Sequence, residues 1–171
     1  EGAFITKATA QLMRDFGCVQ SPINAYMLNL GLESLHVRMA RHCENGQAVA
    51  EFLASHPKIA YVNYCGLPGD KYHAVAEKYL PNGSCGVVSF GVKGGREAAA
   101  AFMGHLKIAA IETHVADART CCLHPASSTH RQMNDEQLIA AGVQPDLVRM
   151  SCGLEDKNDL IHDIAQALDQ I

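Results

Sequence analysis

Arg149 stands in the run Asp146-Leu147-Val148-Arg149-Met150-Ser151-Cys152-Gly153-Leu154-Glu155-Asp156, where its neighbours Leu147, Val148 and Met150 read as a buried strand. A guanidinium there is costly unless it holds an anion, and its planar fork matches a carboxylate or a phosphate with two parallel hydrogen bonds. The other placement that the pattern allows is the solvated face of an edge strand. Upstream, His124-Pro125-Ala126-Ser127-Ser128-Thr129-His130 gathers hydroxyl and imidazole groups in one short turn. These are neutral hydrogen-bonding groups suited to helping hold the same anion.

Other chemistries find less support. The nine histidines include the pairs His36/His42 and His124/His130, none of them in an HExxH or similar ligand spacing, so no metal is expected. No GxSxG elbow marks a hydrolase, and Gly91-Val92-Lys93-Gly94-Gly95 is too short for a phosphate cradle and reads as a strand end. The seven cysteines (Cys18, Cys43, Cys65, Cys85, Cys121, Cys122 and Cys152) are odd in number and contain no CxxC pair. They read as small buried fillers in a reducing cytoplasm rather than as a disulfide framework. Cys121 and Cys122, adjacent in a strand, face opposite ways and so share no site. A net charge of −4 and a pI near 6.1 leave no basic footprint for nucleic acid. No apolar run reaches the roughly 18 residues of a membrane helix, and no charged-then-apolar leader opens the chain.

The elements that must position Arg149 follow from periodicity. Residues 1–20 form an irregular or partly helical arm, and residues 21–171 a single domain. Ser21-Pro22 offers a helix start. Leu28, Leu32, Leu35, Met39, Cys43, Gly46, Ala50 and Leu53 then recur at steps of three and four, which predicts one long amphipathic helix over 23–55 with that stripe buried. Strands are expected at 59–64, 86–92, 108–111, 120–123 and 147–152, and helices at 72–79, 97–106, 135–141 and 156–171. Asn134 is the expected cap of the third of these helices, and Leu160, Ile164, Ala167 and Leu168 the buried side of the last. The order implies an α+β, two-layer fold: a small, mostly antiparallel sheet covered by helices on one face, preceded by a long helix.

Several motifs then occur together and in order. They are Asp15-Phe16-Gly17-Cys18 with Ser21-Pro22-Ile23-Asn24-Ala25, Gly31-Leu32-Glu33-Ser34-Leu35 with Arg38-Met39 and Arg41-His42, Val62-Asn63-Tyr64 with Gly66-Leu67-Pro68, the His124–His130 turn, and the Val148–Asp156 run. Over essentially its whole length the chain resembles the C-terminal part of the Cys/Met-metabolism family of pyridoxal-phosphate (PLP) enzymes of fold type I. The run His124–Met133, with Asp135-Glu136-Gln137 and Ala140–Val143, most resembles the O-acetylhomoserine sulfhydrylase (homocysteine synthase) branch. Cystathionine γ-synthase, cystathionine γ-lyase and methionine γ-lyase are the neighbouring branches.

The resemblance implies a role for three residues. Arg149 matches the arginine that grips the α-carboxylate of an amino-acid substrate, and Thr129 the threonine beside cofactor and substrate. His114 holds a position, ten residues before His124, that usually carries Ser or Asn and contributes to carboxylate recognition. A histidine there is a departure that keeps backbone contacts and puts the side-chain role in doubt. The resemblance also implies that the Schiff-base lysine, the phosphate-binding residues and the ring-stacking tyrosine belong to a preceding large domain. Lys7 matches a structural lysine, not the Schiff-base one. No catalytic or cofactor-binding residue is therefore assigned in this chain, which is expected to bind no PLP and to be inactive alone. In the intact homotetrameric enzyme the implied reaction is γ-replacement: acetate leaves O-acetyl-L-homoserine and sulfide adds at Cγ to give L-homocysteine, in methionine biosynthesis. Two rival classes are a free-standing, non-catalytic module that holds an anion at Arg149, and an oligomerisation domain built on the long helix.

Overall fold

The computed structural model describes residues 2–171 and divides the chain into two compact units, Glu1–His36 and Val37–Ile171. The first is helical. Helix α1 (Gly2–Thr6), a π-helical stretch (Lys7–Met13) and helix α2 (Arg14–Phe16) run into Gly17, whose φ of 65° is a left-handed turn that glycine adopts without strain. The Thr9 hydroxyl bonds the Ile5 carbonyl, competing with the backbone ladder where the helix widens. Helix α3 (Pro22–Glu33) starts as expected, with the Ser21 hydroxyl accepting from the Asn24 amide at 3.2 Å and Pro22 in the first turn.

The single helix expected over 23–55 is two helices. Helix α3 stops at Ser34, at φ −103° and ψ 5°, and α4 (Leu35–Ser55) follows. Asn29, Gly31 and Ser34 are weak helix formers clustered at the interruption. The expected stripe also divides. Leu28, Leu32, Leu35 and Met39 are exposed, whereas Gly46, Ala50 and Leu53 are buried together with His42, Asn45 and Val49.

In the second unit five strands form one sheet of order β1-β2-β5-β4-β3: β1 (Ile59–Asn63), β2 (Val87–Val92), β3 (Ala110–Ile111), β4 (Cys121–Leu123) and β5 (Leu147–Ser151). Only the β3–β4 pair is parallel. The short helix α5 (His73–Tyr79) links β1 and β2, and α6 (Gly95–His105) follows β2 after the left-handed glycines Gly94 and Gly95. Helix α7 (Asp135–Ala140) begins with a reciprocal capping box between Asn134 and Gln137, and α8 (Lys157–Asp169) is capped by Asp156.

One face of the sheet is the core. Val88, Phe90 and Val92 of β2, Val148 and Met150 of β5 and Cys122 of β4 are fully buried there, with Val49, Ala50 and Leu53 of α4, Phe102 of α6 and Leu160, Ile164 and Leu168 of α8. The rings of Phe90 and Phe102 meet edge to face at 5.8 Å. This is the α+β, helix-on-one-face arrangement that the strand and helix order implies.

Asp163 is the polar exception in α8. It is buried, and its carboxylate accepts the amides of Lys107, Ile108 and Ala109 at 2.8, 2.9 and 3.2 Å. It thus satisfies the donors of the segment that leads into β3. Asp163→Ala leaves these amides unpaired and should lower the unfolding free energy by about 2–4 kcal/mol. Urea unfolding followed by circular dichroism measures it, and an unchanged midpoint would refute the role.

Candidate anion site on the open face of the sheet

Residues of odd number on β5 point away from the core. Arg149 lies between Ser89 of β2 and Leu123 of β4, and Ser89 in turn faces Asn63 of β1. A row Asn63–Ser89–Arg149–Leu123 therefore crosses four strands, with the cation on the middle strand of the sheet and not at an edge. Arg149 is half-buried. Its Nη2 donates to the carbonyls of Thr113 at 2.9 Å and His114 at 3.4 Å. Its Nε is buried and has no partner among the described residues. An orphan guanidinium N–H in that position fits an anion, because an unmatched buried donor costs about 1–3 kcal/mol or more and a carboxylate is its best complement.

The loop that Arg149 holds is fixed at both ends. The Ala116 amide donates to the Ser151 hydroxyl at 3.0 Å, and Ala116 sits at φ 58°, a left-handed conformation that a non-glycine residue keeps only when its surroundings enforce it. The end of β5 is held more firmly still. The His42 ring donates from Nδ1 to the Cys152 carbonyl at 2.7 Å. The Asn45 amide donates to the carbonyls of Gly153 and Glu155, each at 2.9 Å. The Glu155 carboxylate accepts the Thr120 amide at 2.7 Å and its hydroxyl at 2.8 Å, and that hydroxyl accepts the Gly153 amide at 2.8 Å. A Cβ on Gly153 would lie 2.5 Å from Ala118 O and Arg119 C. The motif around Arg149 is thus mostly scaffolding: Ser151, Gly153 and Glu155 hold backbone, and the Arg149 Nε is left without a partner among the described residues. The supporting roles of His42, Asn45 and Thr120 were not read from the sequence, because each lies outside the motif it supports. The signal was there for two of them, as polar residues on the buried face of a helix.

Of the three residues assigned by resemblance, the structure joins Arg149 to His114 through the His114 carbonyl. The His114 ring points elsewhere, its Nδ1 lying 3.2 Å from Glu112 Oε2 and 3.4 Å from Asp117 Oδ2. Thr129 is exposed and its hydroxyl bonds His130 Nδ1 at 2.9 Å. The hydroxyl-rich turn packs against β5, yet its serines serve His124. The Ser128 hydroxyl donates to the His124 carbonyl at 2.6 Å. The His124 Nε2–H donates to Pro145 O at 2.8 Å, so Nδ1 accepts from the Ser127 hydroxyl at 2.9 Å. The turn is a rigid support beside β5, pinned further by Arg96, which donates to Ala126 O at 2.7 Å and pairs with Asp135. All seven cysteines are free thiols. Cys122 and Cys152 lie in the core, where burial pushes both thiols up, Cys152 to about 12.

The Nε of Arg149, unpartnered among the described residues, makes the open face of this helix-backed sheet a candidate anion site, and comparison with known proteins gives the family of the chain. The profile of the Cys/Met metabolism PLP-dependent enzymes matches residues 2–169, and the chain belongs to that family. It is 45% identical over 170 residues to the O-acetyl-L-homoserine sulfhydrylase of Leptospira meyeri, covering 99% of this chain and 38% of that protein. It is 42% identical to the homocysteine synthase of Schizosaccharomyces pombe, over 98% of this chain and 39% of the relative. Among solved structures, a putative O-acetylhomoserine (thiol)-lyase from Campylobacter jejuni, crystallised with a pyridoxyl-lysine monophosphate residue, superposes with a TM-score of 0.88 at 37% identity over 97% of this chain and 39% of its own. The chain therefore spans about two-fifths of the length of these relatives.

The crowding at Gly153 is testable. Gly153→Ala forces the β5 exit away from the Ala118–Arg119 backbone and should cost roughly 1–3 kcal/mol. Thermal unfolding measures the cost, and a wild-type midpoint would contradict the close approach.

Proposed function

We propose that this chain is the substrate-carboxylate-binding, C-terminal part of a PLP-dependent O-acetylhomoserine sulfhydrylase, which makes L-homocysteine from O-acetyl-L-homoserine and sulfide. The observation that carries the reading is the buried Nε of Arg149 on the central strand, unpartnered among the described residues, beside an Nη2 already oriented by two loop carbonyls. Those carbonyls fix the plane of the guanidinium before substrate arrives, so little side-chain entropy is lost on binding. Family membership, and relatives named for O-acetylhomoserine chemistry, support the choice of substrate.

PLP, when bound, supplies the electron sink for proton removal next to the substrate's amino group. Five of the seven lysines of this chain are engaged within it, and neither Lys7 nor Lys107 is assigned as the cofactor's anchor. Lys58 donates to the carbonyls of Leu168 and Ile171, Lys93 to that of Pro57, and Lys157 pairs with Glu44. Lys71 and Lys78 lie over the rings of Tyr72 and Tyr79. In this reading the anchoring lysine comes from the rest of the intact polypeptide, residues 1–20 are the arm leading from it, and this part alone turns nothing over. Arg149 contributes orientation: it holds the substrate by one end so that Cα and Cγ are presented to the reacting groups. Thr129 and the His114 backbone complete the substrate side. The reading extends to a cytoplasmic homotetramer. The exposed apolar side chains of Phe4, Ile5, Phe16, Ile23 and Tyr26 are the surface that the remainder of such an assembly would cover.

In the intact enzyme Arg149→Ala should lower kcat/KM for O-acetyl-L-homoserine by about 2–5 kcal/mol, and Arg149→Lys, which keeps the charge and loses the fork, by less. Steady-state kinetics at varied amino-acid concentration measure this, and wild-type kcat/KM in Arg149→Ala would overturn the assignment.

A further inference from the structure

The parallel register of β3 with β4 pairs Ala110 with Cys121, and Glu112, two residues after Ala110, falls by alternation on the same side of the sheet as Cys121; that side is the face of Arg149, since Cys121 faces Ser151 and Leu123 faces Arg149. The Cys121 thiol lies 3.6 Å from Glu112 Oε2, and His114 Nδ1 lies 3.2 Å from the same oxygen. One ligand atom from each of Glu112, His114 and Cys121 falls within 4.8 Å of the others. Metal bonds of about 2.3 Å to sulfur and 2.0–2.1 Å to nitrogen or oxygen put the edges of a tetrahedron at roughly 3.3–3.6 Å. The Cys121–Glu112 separation of 3.6 Å falls on such an edge, and the His114–Glu112 separation of 3.2 Å lies just below that range.

The surroundings suit a divalent ion. Asp117 Oδ2 is 3.4 Å from His114 Nδ1, close enough to supply a fourth ligand or to orient the ring. Arg119 approaches Glu112 through Oε1, at 3.9 Å, and leaves Oε2 to face the thiol and the imidazole. With Cys121 as thiolate, three negative charges stand against the one cation of Arg119. Glu112, His114, Asp117 and Arg119 line an open cleft of about 580 Å³, which gives an ion access to Glu112 and His114, while Cys121 is buried. The backbone is fixed, since Arg149 holds the carbonyls of Thr113 and His114 and Ser151 holds the Ala116 amide.

We propose that Glu112, His114 and Cys121 form a binding site for a zinc-like transition-metal ion, with Asp117 or water as fourth ligand. A thiolate, an imidazole and a carboxylate together select Zn²⁺ or Co²⁺ over Mg²⁺ or Ca²⁺. Binding breaks the Cys121 S–H bond, forms a metal–sulfur bond and releases the proton to solvent; no oxidant or reductant is needed. The site goes beyond the amino-acid reading of Arg149 and does not depend on it.

Titration of the purified, untagged protein with Co²⁺ tests this, read by the near-ultraviolet thiolate-to-cobalt charge-transfer band. One equivalent should bind with that band. Cys121→Ser should abolish the band, while Cys43→Ser keeps it. Glu112→Gln and His114→Gln, both at accessible positions that leave the core intact, should each weaken binding at least about tenfold. No band at any Co²⁺ concentration, or a band that survives Cys121→Ser, or unchanged affinity in both accessible variants, would overturn the site and leave only a hydrogen-bonded cluster.

Discussion

A guanidinium on the middle strand of a sheet has to be compensated in place, and much of the second unit is organised around that requirement. The strands on either side of β5 offer Ser89 and Leu123, neither of which is a counter-charge. Compensation comes instead from backbone carbonyls of the Thr113–His114 segment, which reach Nη2 and leave Nε for something outside the described residues. Carbonyls solvate a cation without neutralising it. The positive charge is therefore not neutralised among the described residues, and the carboxylate proposed for this site would bring the negative charge itself.

What keeps the arrangement rigid is a set of polar side chains working on backbone. His42 and Asn45 reach from α4 to the residues just after β5, Thr120 and Glu155 clasp the same segment, and Ser151 holds the loop opposite. Each of these removes a degree of freedom from the segments around Arg149. The core on the other face, from Val49 to Leu168, supplies the stability against which the strained Ala116 conformation can be held.

The sheet and its helices were legible because their residues obey simple periods. Val88, Phe90 and Val92 alternate, Leu160, Ile164 and Leu168 repeat at helical steps, and Asn134 sits where a cap belongs. The interruption at Ser34 was not, since the apolar stripe runs through it unbroken and only the accumulation of weak helix formers marks it. Arg149 could be picked out as a charge in an apolar run. The service of Ser127 and Ser128 to His124, and the turning of the His114 ring toward Glu112, depend on pairings between segments far apart in the chain or on side-chain directions that no local pattern encodes. The serines that looked like ligands for an anion are spent on holding the turn.

The strand order carries a kinetic meaning. β1 pairs with β2, and β3 with β4, but the two pairs meet only through β5, which is the last strand in the chain. The Asp163 carboxylate that secures the approach to β3 lies later still. During synthesis the sheet therefore exists as two unjoined halves until the ribosome has delivered nearly the whole domain, and its long-range pairings close late. Until then β2 and β4 present bare edges at the place where Arg149 will lie, so the strand that carries Arg149 is also the keystone of assembly.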